Sequence, residues 1–371
     1  MIPSRTMASP YMQWAKTRSG ARFNLASSGM RNLTPEEFPF SLDDVGLSGP
    51  SFYGFPPLQQ ALARHVGVDE KCLFASIGTS MANFVAMAAL IEPGDEVIIE
   101  HPVYDLITTA AGFLQASVKW LPRPESLGYQ PDLEALSKAV RGGTKLVVLT
   151  NLHNPSSAYI ETETMREIGR MARLVGARVL VDEVYLDSAF GVEAQSAFHL
   201  GNEFVITNSL TKVYGLSGLR CGWVVAEPSL IERMWRVSDL FYGIPAHASE
   251  RLSVKALERI PELKARTRGI LDVNRELVNQ FIGSRPELEC APARFGMTVF
   301  PRLKGISVEA LCERLRDEYE TTIVPGRFFD EPEHFRLSYG QDTAMVAEGL
   351  RRVGLAVENR GVRRVENRGR P

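Results

Sequence analysis

The stretch LVVLTNLHNPSS (residues 146–157) joins an unbroken apolar run to a polar loop. Its first four residues leave no polar face, which is typical of a strand that is buried on both sides in a parallel sheet. Ligands bind such sheets in the crevice at the carboxyl ends of the strands. The polar residues after residue 149 are therefore candidates for a functional site.

The sequence on both sides repeats this pattern, because short apolar runs alternate with helical segments between about residues 71 and 226. Strands are predicted at 72–77, 97–99, 118–121, 146–149, 179–181, 204–207 and 223–226. Beyond about residue 250, a long charged helical stretch leads into a region of alternating apolar residues. The pattern predicts an α/β fold, in which a large three-layer domain with a mostly parallel sheet is joined to a smaller α+β domain.

The composition of the 371-residue chain is that of a globular protein, with 44% hydrophobic and 23% charged residues. A formal net charge of −2 gives no electrostatic reason to expect nucleic acid or an acidic membrane as a partner. The four cysteines form no paired motif and the N-terminus has no signal-like apolar core, so we expect a reduced, cytoplasmic protein. The six histidines show no metal-ligand spacing, and no metal is expected.

A polar turn, Gly78, Thr79 and Ser80, follows the first predicted strand and precedes a helix. Free backbone N–H groups and two hydroxyls at a helix N-terminus suit a phosphate group. Such turns also serve simply as helix caps, and these residues alone do not separate the two interpretations.

Two further residues that follow strands suit a planar ring with a phenolic oxygen. Tyr104, in HPVYD, could lie flat on such a ring, although a tyrosine can equally pack on the core with its hydroxyl in water. Asn154 precedes a proline, which restricts its backbone, and its amide can donate to a ligand oxygen. The alternative for Asn154 is a plain turn.

The end of the strand at 179–181 carries Asp182, with Tyr185 three residues later. A carboxylate that leaves a buried strand needs a partner, which is either an arginine or a protonated ring nitrogen. The tyrosine hydroxyl could point into the same pocket, whereas Glu183 is interpreted as structural.

The segment SLTKVYGLSGLRCG (residues 209–222) contains Lys212, which is either a surface charge or an amine that forms a Schiff base with an aldehyde. Taken together, the strand-end residues offer a phosphate cradle, a ring stacker, donors for a phenolic oxygen, a carboxylate for a ring nitrogen and a lysine for an aldehyde. Pyridoxal phosphate has all five of the matching groups.

The order of these residues resembles the fold-type I, class I/II aminotransferases of the aspartate aminotransferase superfamily, from about residue 23 to about residue 355. The lysine-containing segment is the most specific part, because it matches the family pattern S-x-x-K…G-x-x-G-x-R-x-G. The resemblance implies that Lys212 is the Schiff-base lysine and general base. It also implies that Ser209 and Arg220 hold the cofactor phosphate, with Thr79 and Ser80 on the other side.

The remaining parts of the implied cofactor site follow the family motifs DEVY, HNPSS and HPVYD. The resemblance implies that Asp182 pairs with the pyridine nitrogen and that Tyr185 and Asn154 hold the phenolic oxygen. Tyr104 would stack on the ring, and Tyr53, in YGFPPLQQAL, would reach the phosphate of a second subunit in a homodimer.

The implied substrate side rests on Arg336, in FRLSYG, which would bind the α-carboxylate of an amino acid together with Asn154. The chain departs from the family pattern in two places. Ser157 stands where the family usually has the glycine of N-P-T-G, and this change is expected to alter the loop. Asp239 and Leu240 stand where dicarboxylate-specific members carry an arginine, which disfavours aspartate or glutamate as the specialised amino donor.

The implied activity is transfer of an amino group between an amino acid and a 2-oxo acid, by a ping-pong mechanism through an internal aldimine on Lys212. A pyridoxal-phosphate-dependent lyase, of the β-lyase or ACC-synthase-like kind, stays open because sequence does not show the pocket geometry that decides the outcome. A non-enzymatic pyridoxal-phosphate-binding regulator is a more remote alternative, since the ~22 residues before residue 23 leave no room for a helix-turn-helix.

The predicted domain division has four parts. Residues 1–42 form an N-terminal arm and part of the small domain, 43–250 the large pyridoxal-phosphate-binding domain and 251–356 the small C-terminal domain. Residues 357–371, which contain VENRG twice, are predicted to be a disordered polar tail.

Overall fold

The computed structural model of the chain describes residues 2–50 and 52–358. Within these residues, helices α1 to α11 span Pro10–Thr17, Pro56–Val66, Thr79–Leu90, Asp105–Phe113, Leu133–Ala139, Thr162–Leu174, Pro228–Ser238, His247–Glu258, Ile260–Gly283, Val308–Tyr319 and Thr343–Glu358. Strands β1 to β14 span Phe23–Asn24, Leu73–Ser76, Glu96–His101, Ser117–Pro122, Thr144–Thr150, Arg178–Asp182, Phe204–Ser209, Gly222–Val225, Leu288–Glu289, Thr298–Val299, Arg302–Leu303, Thr321–Thr322, Val324–Pro325 and Phe335–Ser338.

The centre of the molecule is a seven-stranded sheet in the order β2-β8-β7-β6-β5-β3-β4. Neighbouring strands are parallel except at β8, which runs antiparallel to both β2 and β7. Strands β2, β5, β6 and β7 therefore end, and β8 begins, at one side of the sheet, which we call the carboxyl edge. The predicted α/β class and mostly parallel sheet are confirmed.

Apart from the edge strand β4, which is partly exposed, the strands of this sheet are covered on both faces. Every residue of β2, β7 and β8 is buried, and side chains along a strand alternate between the two faces. Helix α3 packs on β2, β6, β7 and β8, and its Ala- and Met-rich sequence buries a broad face of the helix against them. The apolar runs in the sequence thus mark the buried strands and not a half-exposed sheet.

The C-terminal part of the chain packs α9, α10 and α11 around short strands. Strand β14 lies between β10 and β13, and the N-terminal strand β1 pairs in parallel with β12. The N-terminal segment therefore crosses the molecule to join the C-terminal strands. The division into domains at residues 42, 250 and 356 stays a prediction.

The charged stretch predicted as one long helix is two helices, α8 and α9, which meet at Arg259. Pro261 explains the break, because proline is tolerated in the first turn of a helix but not in its interior. Helix α11 continues to Glu358 and so includes residues 357 and 358, which were predicted to belong to the disordered tail. The rest of the predicted tail, residues 359–371, lies outside the described residues. In the described part of the chain, no helix combines the length and apolarity needed to cross a bilayer.

Candidate active site

The strand pairing gathers the candidate residues at the carboxyl edge. Thr150, the last residue of β5, pairs with Asp182, the last residue of β6. Ser209 at the end of β7 pairs with Gly222 at the start of β8, and Gly222 also pairs with Ser76 at the end of β2. The polar residues that follow four different strands are consequently neighbours in space.

Lys212 lies in the turn between β7 and β8, and its Nζ donates a hydrogen bond to Ser28 Oγ at 2.9 Å. Removal from water lowers the pKa of this amine. The positive charges of Arg336 and Arg220 lower the pKa further, while Asp182 opposes the shift. These surroundings favour the neutral amine, which is the form that acts as a nucleophile and a base.

Asp182 is buried, and its carboxylate accepts two hydrogen bonds from the protein. Asn83 Nδ2 donates to Oδ2 at 2.8 Å, and the backbone N–H of Val184 donates to Oδ1 at 3.0 Å. Burial raises the pKa of Asp182 to about 6, although these hydrogen bonds and Lys212 act in the opposite direction. A carboxylate in this state is suited to share a proton with a ring nitrogen.

Asn83 was not among the residues predicted from sequence. Its Oδ1 accepts a hydrogen bond from Thr207 Oγ1 at 2.6 Å, so the amide is fixed with its N–H₂ toward Asp182. One signal was present, since Asn83 stands one turn after Thr79 in an otherwise apolar helix. A buried polar side chain in such a helix needs a partner.

The predicted phosphate cradle lies at the N-terminus of α3. Gly78, just before the helix, has φ +92°, and a side chain there would collide with the guanidinium of Arg220. A side chain at Gly222 would collide with the backbone of Gly78. The two glycines therefore bring the β8 turn and the start of α3 close together.

The polar atoms of the cradle fit a phosphate group. Thr79 Oγ1 is buried at the helix N-terminus without a hydrogen-bond partner, and Arg220 extends beside Gly78. Ser209 Oγ accepts the backbone N–H of Thr211 at 3.2 Å, while Ser80 is exposed at the second position of α3. An unpaired hydroxyl, free helical N–H groups and an arginine together supply the donors that a phosphate requires.

Two tyrosines enclose the space between Asp182 and Arg336. Tyr185 is buried and shares the Ser28 hydroxyl with Lys212, and burial raises its pKa. Tyr104 precedes α4, and burial also raises the pKa of its phenol, well above the ordinary value. Ser28 gives no signal in the sequence, because it lies in an irregular segment remote from every strand-end motif.

Arg336 lies on β14 and is fully buried. Its Nη1 donates to Asn154 Oδ1 at 2.9 Å, and its Nη2 donates to Tyr11 OH at 2.9 Å and to the carbonyl oxygen of Ala26 at 3.1 Å. Its Nε has no hydrogen-bond partner. The guanidinium therefore retains an unused donor for an anionic ligand.

Tyr11 is a second residue that sequence reasoning missed. It belongs to helix α1, and its ring meets that of Tyr104 edge-on, with the ring centroids 5.4 Å apart. The start of this helix is fixed to Asp105, which accepts hydrogen bonds from the Ser9 hydroxyl and from the backbone N–H of Tyr11. Helix α1 thereby covers the Arg336 side of the site.

Tyr53 lies against the end of α7, and its side-chain hydrogen bond and ring contacts are with residues of that region. Its hydroxyl donates to Asp239 Oδ2 at 3.1 Å, and the guanidinium of Arg236 lies 4.0 Å from its ring centroid. Half of its surface is exposed. The role predicted for Tyr53 concerns a second copy of the chain and stays a prediction.

Comparisons with known proteins identify the family to which the chain is similar. The sequence pattern of the family described as aminotransferase class I and II matches residues 44–353. Capreomycidine synthase from Streptomyces vinaceus is 29% identical, over 98% of this chain and 97% of the relative. Arginine–pyruvate transaminase from Pseudomonas aeruginosa is 26% identical, over 93% of this chain and 92% of the relative.

Solved structures agree with this family. A PLP-dependent aminotransferase from Streptococcus suis superposes with a TM-score of 0.88 at 26% identity, covering 96% of this chain and all of that chain. The PLP-dependent cyclase OrfR also gives a TM-score of 0.88, at 21% identity, covering 97% and 99% of the two chains. The chain belongs to the class I and II aminotransferase family and is a pyridoxal-phosphate-dependent enzyme.

Proposed function

We propose that the enzyme transfers an amino group between an amino acid and a 2-oxo acid, in two half-reactions that use the same site. The observation that carries this proposal is the position of Lys212, which follows the strand next to that of Asp182 and whose amine donates to Ser28 in the same site as Arg336. Burial lowers the pKa of this amine, and the charges of Arg336 and Asp182 act on it. An acid–base group, an acidic partner for a ring nitrogen and a carboxylate-binding arginine thus share one enclosed space.

Pyridoxal phosphate, when bound, supplies an aldehyde that condenses with amines and a ring that withdraws electrons from the substrate. Thr79, Ser209 and Arg220 would hold its phosphate, with the backbone of Gly78 and the neighbouring Ser80. Asp182 would hold the proton of the ring nitrogen, because an opposite charge favours the protonated form. Tyr185 and Asn154 would donate to the phenolic oxygen, and Tyr104 would stack on the ring.

The reacting amino acid would be placed by Arg336, which binds the carboxylate through donors not used by Asn154 and Tyr11. The Lys212 amine would remove the α-proton, hold it at Nζ and give it back in the second proton transfer. Lys212 is suited to both steps because its surroundings favour the neutral amine.

A single experiment tests whether the enzyme transfers an amino group and whether it does so by a ping-pong mechanism. The purified enzyme is given one amino acid at a time with no acceptor, and the 2-oxo acid released is counted per active site. A ping-pong aminotransferase releases at most one equivalent and resumes only when a second 2-oxo acid is added. Failure to release any 2-oxo acid from a broad set of amino acids would contradict the proposal.

The amino-acid set should include arginine with pyruvate, because a 26% identical relative is named as an arginine–pyruvate transaminase. Aspartate and glutamate serve as the comparison. Asp239, which stands where dicarboxylate-specific members carry an arginine, is held by Tyr53 and Arg236. We expect the two dicarboxylates to be the poorer donors, because the arginine that would pair with their second carboxylate is not at this position.

A second candidate function is a pyridoxal-phosphate-dependent lyase or cyclase, which would use the same residues but give a different product. The 29% identity to a capreomycidine synthase along nearly the whole chain favours this alternative. A lyase or cyclase turns over many equivalents of one amino acid without an acceptor. The count of product per active site therefore separates the two functions, and turnover of either kind excludes a non-enzymatic regulator.

We also propose a cytoplasmic homodimer. The four cysteines are free thiols, which suits a reducing compartment. Exposed apolar side chains concentrate in the segments 40–53 and 240–244, which Tyr53 and Asp239 link by a hydrogen bond. Light scattering should give about twice the chain mass of 41.2 kDa, and Leu240→Asp should lower the dimer fraction. An active monomer would contradict the assembly.

A further inference from the structure

The loop that follows β5 contains a residue in a conformation that favours glycine. Ser157 has φ +61°, in the left-handed region that most side chains avoid. It stands where the family pattern has glycine, and it carries a hydroxyl in a conformation that glycine adopts without strain. The hydroxyl of Ser157 is buried, and a buried hydroxyl destabilises the fold unless it forms hydrogen bonds.

The Ser157 hydroxyl bonds to one residue of another segment. Its Oγ donates to the carbonyl oxygen of Thr298 at 2.9 Å and accepts the backbone N–H of Thr298 at 3.3 Å. Thr298 Oγ1 in turn donates to the carbonyl oxygen of Pro155 at 2.9 Å. A side chain at Gly296 would collide with Ser157 Oγ, so the opposite segment leaves room for the hydroxyl. We call these contacts the Ser157–Thr298 latch.

The latch and the substrate arginine join the same two parts of the molecule. Asn154, three residues before Ser157, accepts the hydrogen bond from Arg336. Thr298 lies on β10 and pairs with Ser338 on β14, two residues beyond Arg336. The loop is therefore fixed to the β10–β14 pair at two points, through the Asn154–Arg336 hydrogen bond and through the latch.

The rest of the loop is anchored to the sheet side through His153. One ring nitrogen of His153 lies 2.8 Å from the carbonyl oxygen of Pro102, and the other lies 2.6 Å from Ser156 Oγ. These contacts hold the loop to its own side of the molecule. Among the described residues, the Ser157–Thr298 latch and the Asn154–Arg336 pair supply the hydrogen bonds between this loop and the C-terminal strands.

We propose that Ser157 is a positioning residue, which acts through Thr298 to keep Asn154 and Arg336 aligned before a substrate arrives. This inference rests on the proposed function, because it takes Arg336 to be the carboxylate-binding residue. A site that is ordered in advance does not use substrate binding energy to order itself. Loss of the latch should consequently weaken substrate binding more than it slows the chemical steps at Lys212.

The kinetic test uses Ser157→Gly, which removes the hydroxyl but keeps a residue that adopts positive φ freely. We expect KM for the amino acid to rise roughly tenfold, as for loss of a buried hydrogen bond, with kcat within about twofold. Thr298→Val should act in the same direction with a smaller effect, because it removes only Oγ1, which lies 2.9 Å from Ser157 Oγ and donates to Pro155, and leaves the backbone contacts of Thr298 in place. Thr298→Ser, which keeps the hydroxyl, should restore KM to near the wild-type value.

The double variant Ser157→Gly/Thr298→Val shows whether the two residues act as a unit. If they form one latch, the double variant should raise KM by less than the product of the two single effects, because both variants remove the contact between Ser157 Oγ and Thr298 Oγ1. Independent, multiplying effects on KM would overturn the proposal. A fall in kcat with unchanged KM in Ser157→Gly would also overturn it, because it would place Ser157 in the chemistry.

A second measurement does not depend on activity. Hydrogen exchange by mass spectrometry should show faster exchange in peptides covering 151–158 and 296–300 of Ser157→Gly, because the Thr298 N–H loses its acceptor. Ser156→Ala is the matched control, since its hydroxyl bonds to His153 and not to Thr298. Exchange in 296–300 should be unchanged in that control.

The outcomes separate the latch from the proposed function. If the wild-type enzyme turns over no amino acid, the proposed function fails, while the exchange comparison still tests the latch. Unchanged exchange in both peptides of Ser157→Gly would overturn the latch even in an active enzyme. Thermal melting of each variant with cofactor bound confirms that a change in KM comes from a folded protein.

Discussion

The cofactor side and the substrate side of the site are built in different ways. On the cofactor side, Asp182 and Lys212 follow strands that are neighbours in one sheet. On the substrate side, Arg336 meets Asn154 from 182 positions away and Tyr11 from 325 positions away. One half depends on sheet topology, and the other depends on how the two ends of the chain pack against the sheet.

This difference implies a division of roles. Residues at strand ends are held by a buried sheet and should govern the chemical steps. Residues that come together through packing of remote segments should govern how well a substrate is placed. Substitutions on the cofactor side should therefore lower kcat, whereas substitutions on the substrate side should mainly raise KM.

The largest effect is expected for Lys212→Ala. Removing the amine should lower kcat by more than roughly 1000-fold, because both proton transfers and covalent attachment of the cofactor are lost. Steady-state kinetics and borohydride reduction followed by peptide mapping measure the two losses. Lys138→Ala, at an exposed residue paired with Glu134, is the control and should keep full activity. A Lys212→Ala enzyme with a tenth of normal kcat would contradict the assignment.

The second-largest effect is expected for Arg336→Lys. A lysine keeps the charge but lacks the planar fork, so kcat/KM for the amino acid should fall roughly 100-fold, mainly through KM. Arg302→Lys, on β11 and paired with Glu333 at the surface, is the matched substitution and should change neither constant. If Arg336→Lys lowers kcat and leaves KM unchanged, the proposed difference in role between the substrate side and the cofactor side is wrong.

Asp182→Asn tests the cofactor side through stability in the cofactor-free protein. Because burial raises the pKa of Asp182 from 3.8 to about 6, the folded state holds this proton more tightly than the unfolded state. The wild type thus loses stability as pH rises from about 4 to 6, and the loss is complete above that range. The asparagine variant does not titrate and avoids this loss.

The stability of Asp182→Asn relative to the wild type should therefore increase by about 2 kcal/mol between pH 4 and pH 8. Urea unfolding of both proteins at the two pH values measures this difference. At pH 4 the wild-type carboxyl is protonated, so the stability difference between the two proteins at that pH measures how the substitution affects the hydrogen bonds to Asn83 and Val184. It is the internal control for the change with pH. A difference that does not change with pH would show that the buried carboxyl does not titrate in this range.

The smallest effect is expected for Tyr11→Phe. The ring still packs on Tyr104, but Arg336 loses one hydrogen-bond acceptor while keeping the carbonyl of Ala26. KM for the amino acid should rise roughly threefold to tenfold with kcat nearly unchanged, as for a single hydrogen bond. If kcat falls and KM does not, Tyr11 acts on the chemistry and belongs with the cofactor side.

The strand-end residues could be predicted from the sequence because each follows an apolar run. A buried strand of the kind at 146–149 is visible without any tertiary information, and its end marks where a polar side chain emerges. The structure places Asn154, Asp182 and Lys212 in one space, although their roles stay predictions. Asn83 gave a weaker signal, as a polar residue inside an apolar helix, and was missed.

The α/β class, the positions of the sheet strands and the family pattern around Lys212 could be predicted from the sequence, because these depend on local periodicity and spacing. The tertiary structure alone decided that Tyr11 and Ser28 enter the site and that Ser157 bonds to Thr298. These contacts join segments that no local pattern relates. Their cause is the packing of the N-terminal helix and the C-terminal strands against the carboxyl edge of the sheet.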